Sequence, residues 1–210
     1  MNYGDFKSFT LGLINQYTAR GMELTESYND QADYLQRIPG LYNAAMLELA
    51  SEAAHIVGVM APNKSDVTDM NNGFVRVKVP ADFIRMTGDG IPVVRDGRMT
   101  RTKAYYAVGN GAVLIRKDLY TKGILEYYRS PKRLPTDPSG IDDDQELDGT
   151  EEMQIAAAYY TAAMLVLQDD AFAYSALRNE YDDKLTMMKR RMHAEVFYVD
   201  EDCAVGYDVY

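Results

Sequence analysis

Residues 151–192, EEMQIAAAYYTAAMLVLQDDAFAYSALRNEYDDKLTMMKRRM, carry two helical patterns on either side of a short acidic link. In the first, Met153, Ile155, Ala156, Tyr159, Tyr160, Ala163, Met164, Val166 and Leu167 run almost all round the axis. A helix apolar on every side belongs at the centre of a core. Its start has two rival caps, the Asp148–Glu151 capping-box spacing and Thr150. Asp169 and Asp170 form the link and cap the next helix. That helix, Ala171 to about Met192, places Ala173, Leu177, Tyr181, Leu185, Met188 and Met192 on one face. Lys189, Arg190 and Arg191 suit the negative end of its dipole. So short a link makes the two helices an antiparallel pair.

Upstream of the pair, residues 130–149 read as a loop with Pro131, Pro135 and Pro138 and six acidic residues. Residues 63–130 have strand character. FVRVKV (Phe74–Val79) alternates Val75, Val77 and Val79 with Arg76 and Lys78, the pattern of a half-buried strand. Asp96-Gly97 between two strand-like arms is a hairpin signal, and YYAVGNGAVLIR repeats it around Gly109-Asn110-Gly111. With GILEYYR (Gly123–Arg129) this predicts a small antiparallel sheet of five or six strands.

Farther upstream, Ile38, Leu41, Ala45, Leu49, Ala53 and Ile56 recur at spacings of three and four. They form the apolar face of an amphipathic helix that resumes after an interruption at Pro39 and ends at Gly58 and Pro62. Thr25 is a further helix start. A first helix over residues 5–19, with Phe6, Phe9, Leu13 and Tyr17 near one face, ends at Gly21. The fold class is therefore α+β: a helical core, made of the long early helix and the antiparallel C-terminal pair, with an inserted antiparallel sheet. The parts are 1–62, 63–130, 131–193 and an apolar, acidic tail over 194–210.

Charge is unevenly spread. Residues 64–133 carry 14 basic and 7 acidic side chains, a net of +7, whereas residues 136–210 carry 5 and 18, a net of −13. Such asymmetry speaks to partners, not to fold. The lone Cys203 excludes an internal disulfide framework and any multi-cysteine metal site. No run approaches the roughly 20 apolar residues that span a bilayer, and FTLGLI is too short for a signal peptide. A soluble, non-membrane protein of a reducing compartment is expected.

The residue patterns of catalysis are missing. His55, near a helix end, and His193, at a helix C-terminus, read as structural; neither has a visible partner for acid–base work. Acidic neighbours (Asp200, Glu201, Asp202) disfavour a Cys203 thiolate. Gly109-Asn110-Gly111 lacks the third glycine of a dinucleotide fingerprint, with Leu114 in its place, and joins two strands. Asp144, Glu146, Asp148 and Gly149 fit the start of a calcium loop, but Ile155 stands where a bidentate Glu is required. Arg95, Arg98, Arg101, Lys103, Arg116 and Lys117 present cations to phosphate or to an acidic neighbour, without a nucleic-acid recognition motif. Neither enzyme, metal nor cofactor is expected. Phe197, Tyr198, Tyr207 and Tyr210, on a terminus without periodicity, are candidates for docking on a partner.

Two stretches, YYRSPKRLP…DQELDGTEEMQIAAAYYTAAMLVLQDDAFAYSALRNEYDDKLTMM (from Tyr127 to Met188) and RIPGLYNAAMLELA (Arg37–Ala50), resemble the head–tail connector, or adaptor, proteins of tailed bacteriophages. The shared pattern is a strand ending at Tyr-Tyr, a proline loop leading to acidic residues, an Ala/Tyr-rich helix, an Asp-rich link and a helix with EY…KL. It covers roughly residues 25–60 and 120–195; the insert between them resembles nothing known to us. The resemblance implies a structural protein of the virion neck, made in the host cytoplasm. A ring, usually of about twelve copies, would lie beneath the portal protein, extend the channel for double-stranded DNA and carry the tail or its nozzle and stopper proteins. The C-terminal segment would dock on the portal. An acidic wall lets DNA slide, because like charge offers no counterion release; Asp142, Asp143, Asp144 and Glu146 are the candidates for it. The alternatives are another neck or tail component, such as a tail-completion protein, and a soluble enzyme or ligand-binding domain.

Overall fold

The computed structural model describes residues 1–17, 32–87, 90–95, 98–103, 105–108, 111–120 and 124–196, with backbone alone at 32, 92–95, 98–99, 107–108 and 192–196. Among the described residues, four α-helices, α1 (Tyr3–Tyr17), α2 (Ala32–Glu52), α3 (Glu151–Val166) and α4 (Ala171–Val196), and nine strands make an α+β fold. The chain forms two units: a helical one from residues 1–54 and 133–210, and a strand-built one from residues 55–132. Thr25, Gly21 and the tail aromatics Phe197, Tyr198, Tyr207 and Tyr210 lie outside the described residues.

In the helical unit α3 packs against α1, α2 and α4. What it buries differs from the expectation. Ala156, Ala157, Ala158, Ala162, Ala163 and Thr161 are fully enclosed, whereas Ile155, Tyr159, Tyr160 and Met164 lie at the margins and Leu167 is exposed. Three helices can approach a fourth closely only where its side chains are short, so the alanines take the inside. Thr150, not the capping box, caps the helix: its hydroxyl accepts from the Met153 N–H. Asp170 caps α4 by accepting from the Phe172 and Ala173 N–H groups, and α4 buries Ala173, Leu177, Tyr181, Leu185 and Met188.

Two boundaries depart from the sequence reading. Pro39 does not interrupt a helix; it lies inside α2. Proline in a helix interior leaves one carbonyl unbonded, a cost that the full burial of Ile38, Tyr42, Ala45, Met46 and Leu49 offsets. The helix then stops at Glu52, with both the Ala53 and Ala54 N–H groups donating to the Leu49 carbonyl. Ile56 and Gly58 belong instead to β1 (Ile56–Met60). Helix α1 turns Tyr3, Phe6, Thr10, Leu11, Leu13 and Ile14 inward. Its Phe9 remains partly exposed, edge-on to Tyr159 with ring centroids 6.4 Å apart.

The insert has more strands than expected: nine among the described residues, in three antiparallel arrays. These are β1 flanking β9 (Leu125–Arg129) with β4 (Phe83–Met86); β2 (Val67–Asp69), β3 (Phe74–Lys78), β8 (Ala112–Arg116) and β7 (Tyr105–Val108) in that order; and the hairpin of β5 (Ile91–Arg95) with β6 (Arg98–Thr102). Val75, Val77, Val79, Met86, Ile91, Val113, Ile115, Leu125 and Tyr127 form their core. Gly58 pairs with Tyr127 in register, and a Cβ there would come within 2.6 Å of the Tyr127 ring. The glycine makes room for that ring, whose hydroxyl donates to Asp82 at 3.1 Å.

Candidate partner-binding surfaces

The acidic loop is built by the start of the chain and by α3. The Tyr3 and Gly4 N–H groups donate to the carbonyls of Gln145 and Asp143, and the Leu147 N–H donates to the Met1 carbonyl. From below, the buried Gln154 amide donates to the carbonyls of Leu147, Asp148 and Gly149 at 3.0–3.3 Å. Gly149, at φ 85°, lets the chain turn into α3 with its Cα close to the Met46 side chain. Asp142 folds its own loop by accepting from the Asp144 N–H. Asp143 pairs with Lys7 at 2.8 Å. Asp142, Asp143, Asp144 and Glu146 all remain exposed. Among the described residues no group of three or more His, Cys, Asp or Glu is placed to hold a metal ion.

The basic residues of the insert are divided. Arg101 forms an ion pair with Glu126 at 2.6 Å and reaches the Gly90 carbonyl. Arg116 grips Asp118 with two nitrogens, which holds that carboxyl below the usual carboxylate range. Lys117 pairs with Asp69; its hydrogen bond, with a second from the Asn71 N–H, lowers that carboxyl too. Lys103 is exposed, and the side chains of Arg95 and Arg98, whose backbones face each other across the hairpin, lie outside the described residues. Of the four named cations whose side chains are described, three pair with carboxylates of their own unit.

Sequence reasoning missed others. Residues that pair across antiparallel strands point to the same face, so Thr68, Arg76, Leu114 and Tyr106 form one row across β2, β3, β8 and β7. On this outer face Tyr106 is 63% exposed and meets Phe74 edge-on at 5.9 Å. Lys78 is exposed beside them, and neither Arg76 nor Lys78 pairs with a carboxylate among the described residues. The alternation FVRVKV contains this signal, since it sets Arg76 and Lys78 on one face of the strand.

His55 is not at a helix end. It precedes β1 and stacks on Tyr128 with ring centroids 4.1 Å apart. Arg85 lies over the same ring and reaches His55 Nε2 at 2.6 Å. A guanidinium only donates, so Nε2 is the acceptor in this contact. His193 lies within α4, and its side chain and Cys203 fall outside the described side chains.

In the helical unit the link between α3 and α4 carries Leu167, 42% exposed, and the first turn of α4 carries Phe172, 79% exposed. Asp169 accepts the Tyr34 hydroxyl at 2.7 Å, and burial together with this bond pushes the phenol pKa up to about 12. Arg37, paired with Asp33, donates to the Met164 carbonyl at the end of α3. Among the described residues no helix is long and apolar enough to cross a membrane. Compared with known proteins, the chain matches no family model and none of the curated proteins.

Proposed function

We propose that the chain is a structural head–tail connector subunit of a tailed bacteriophage, forming a ring beneath the portal that extends the DNA channel and offers a platform to the tail. The observation that carries this reading is the way two remote stretches combine. Arg37–Ala50 and the segment from Glu151 onward, which resemble connector proteins, pack together as α2, α3 and α4 of one helical unit, while the insert folds into a unit of its own. An insert with its own core leaves the surrounding helices to form a shared scaffold.

Electrostatics favour the same role. The helical unit carries 9 basic and 25 acidic residues, a net of −16. Repeated in a ring, such a surface repels DNA and lets it pass without binding. Asp142 and Asp144 are the wall candidates of choice, since Asp143 is engaged with Lys7 and Glu146 with the Met1 ammonium. The tail aromatics Phe197, Tyr198, Tyr207 and Tyr210 are assigned to the portal.

Co-expression with the portal protein of the same genome, followed by electron microscopy of the purified product, tests this. A second ring stacked coaxially on the portal supports it and gives the copy number; portals with nothing attached reject it. Removal of residues 197–210 is expected to abolish attachment, and unchanged attachment would reject the assignment of the tail.

A further inference from the structure

We propose that the α3–α4 tip of one copy docks on the outer face of the four-stranded sheet of the next, and that this contact joins neighbouring subunits. The inference rests on the connector reading only for the ring; the contact itself stands on two surfaces and their charges.

The first surface is the sheet face of Phe74, Arg76, Lys78, Tyr106 and Leu114. Tyr106 is largely in solvent, its ring held by Phe74. Exposed aromatics beside cations without carboxylate partners have the composition of an interface centre, which is rich in Tyr, Phe and Arg. The second surface is the tip. Asp170 fixes where α4 begins, which sets the exposed Phe172 in its first turn, just past the link that carries the exposed Leu167. Asp169 and Asp170 lie in the link itself, and the start of α2 meets this end of the unit, with Tyr34 on Asp169 and Arg37, paired with Asp33, on the Met164 carbonyl. The carbonyl end of α3 adds negative charge.

The two surfaces complement each other in both respects. Each offers exposed apolar side chains, and their charges are opposite. The same opposition holds for the units that bear them. Residues 55–132 carry 13 basic and 7 acidic side chains, a net of +6, against −16 for the helical unit. Because the two surfaces are different, the contact can run head-to-tail from copy to copy. Head-to-tail contacts repeat until they close into a ring or extend as a filament, which is the symmetry a connector requires.

The test traps the contact without the portal. In a Cys203→Ser background, one preparation of the full-length chain carries Ala171→Cys and a second carries Thr68→Cys, both exposed positions beside the proposed contact. They are mixed at about 1 mM, where even a millimolar contact is half populated, and mildly oxidised. The mixture is expected to form disulfide-linked dimers about tenfold faster than either preparation alone, and Arg76→Glu with Lys78→Glu in the sheet partner should remove the gain, as should high salt. Phe172→Ser, at an exposed position, gives a second variant that keeps the fold, and it should remove the gain as well.

A mixture that cross-links no faster than its components overturns the proposal. So does a gain indifferent to both sets of substitutions. If the sheet variant instead loses binding of a short single-stranded DNA while the mixture shows no gain, the partner of this face is nucleic acid and the copy-to-copy contact is rejected. Portal imaging separates the two readings: a stacked ring without the cross-link rejects this contact alone, and the cross-link with bare portals rejects the connector alone.

Discussion

The helical unit and the sheet unit close their chains differently. Polar side chains join the helical unit across long stretches of sequence. Asn43 exchanges hydrogen bonds with both backbone groups of Leu134, Tyr42 donates to the Asp148 carbonyl, Tyr34 to Asp169, and Lys189 meets Glu52 at 2.5 Å. The sheet unit is one continuous stretch whose strands are joined by backbone ladders, half of them between near neighbours in sequence (β2–β3, β5–β6, β7–β8) and half between distant strands (β1–β9, β3–β8, β4–β9). The helical unit therefore depends on particular side chains meeting at a distance. The sheet unit depends on backbone pairing and on glycines where the backbone passes close to something.

This contrast can be broken at four points. The largest effect is expected from Leu49→Ala in α2, a fully buried residue; the cavity should cost about 2–5 kcal/mol, read by chemical denaturation as loss of helical signal. Gly90→Ala comes next. Gly90 has φ 84°, and a Cβ there runs into the Thr102 carbonyl; strain and overpacking should cost about 1–3 kcal/mol. If the contrast is right, the loss falls on the sheet unit and is visible as faster amide exchange in β5 and β6. Equal losses in both units would mean that they share one cooperative transition. Thr150→Ala removes the α3 cap and should cost about 0.5–2 kcal/mol, with Thr150→Ser restoring most of it.

The smallest effect is absent at neutral pH. Burial raises the pKa of Tyr34, Tyr42 and Tyr181, which favours their neutral phenols in the folded state. Their stabilisation is complete below the ordinary tyrosine value of 10.0 and is lost as pH rises from there through the folded-state value, about 12 for Tyr34. An alkaline melt followed by phenolate absorbance should show the helical unit opening as these groups ionise. Full helical signal with all phenols titrated would show that the three rings are not held as described.

Several of these features were legible in the sequence. The α4 face from Ala173 to Met188, the cap at Asp170 and the alternation of β3 follow from the spacing of residue types, which needs no partner to be read. The end of α2 was not legible. Ala53 and Ile56 continue the helical period, yet Ile56 pairs with Arg129 in a sheet, and a residue that suits both structures is assigned by its neighbours. Pro39 misled for the same reason: burial of the surrounding face outweighs a lost hydrogen bond. The pairing of Arg101 with Glu126 was not legible either, since the two lie 25 residues apart and on different strands.

By itself the sequence determined the α+β class, the helical pair and the separation of charge, since periodicity and charge depend only on which residues follow one another. Tertiary structure alone decided that α3 turns its alanines inward, that the strands form three arrays, and that Phe172 and Tyr106 face solvent while Tyr181 and Tyr127 are covered. Those outcomes depend on which remote surfaces meet. Spacing along a chain states what each element must bury, but only the packed neighbours determine which side they cover and what they leave exposed.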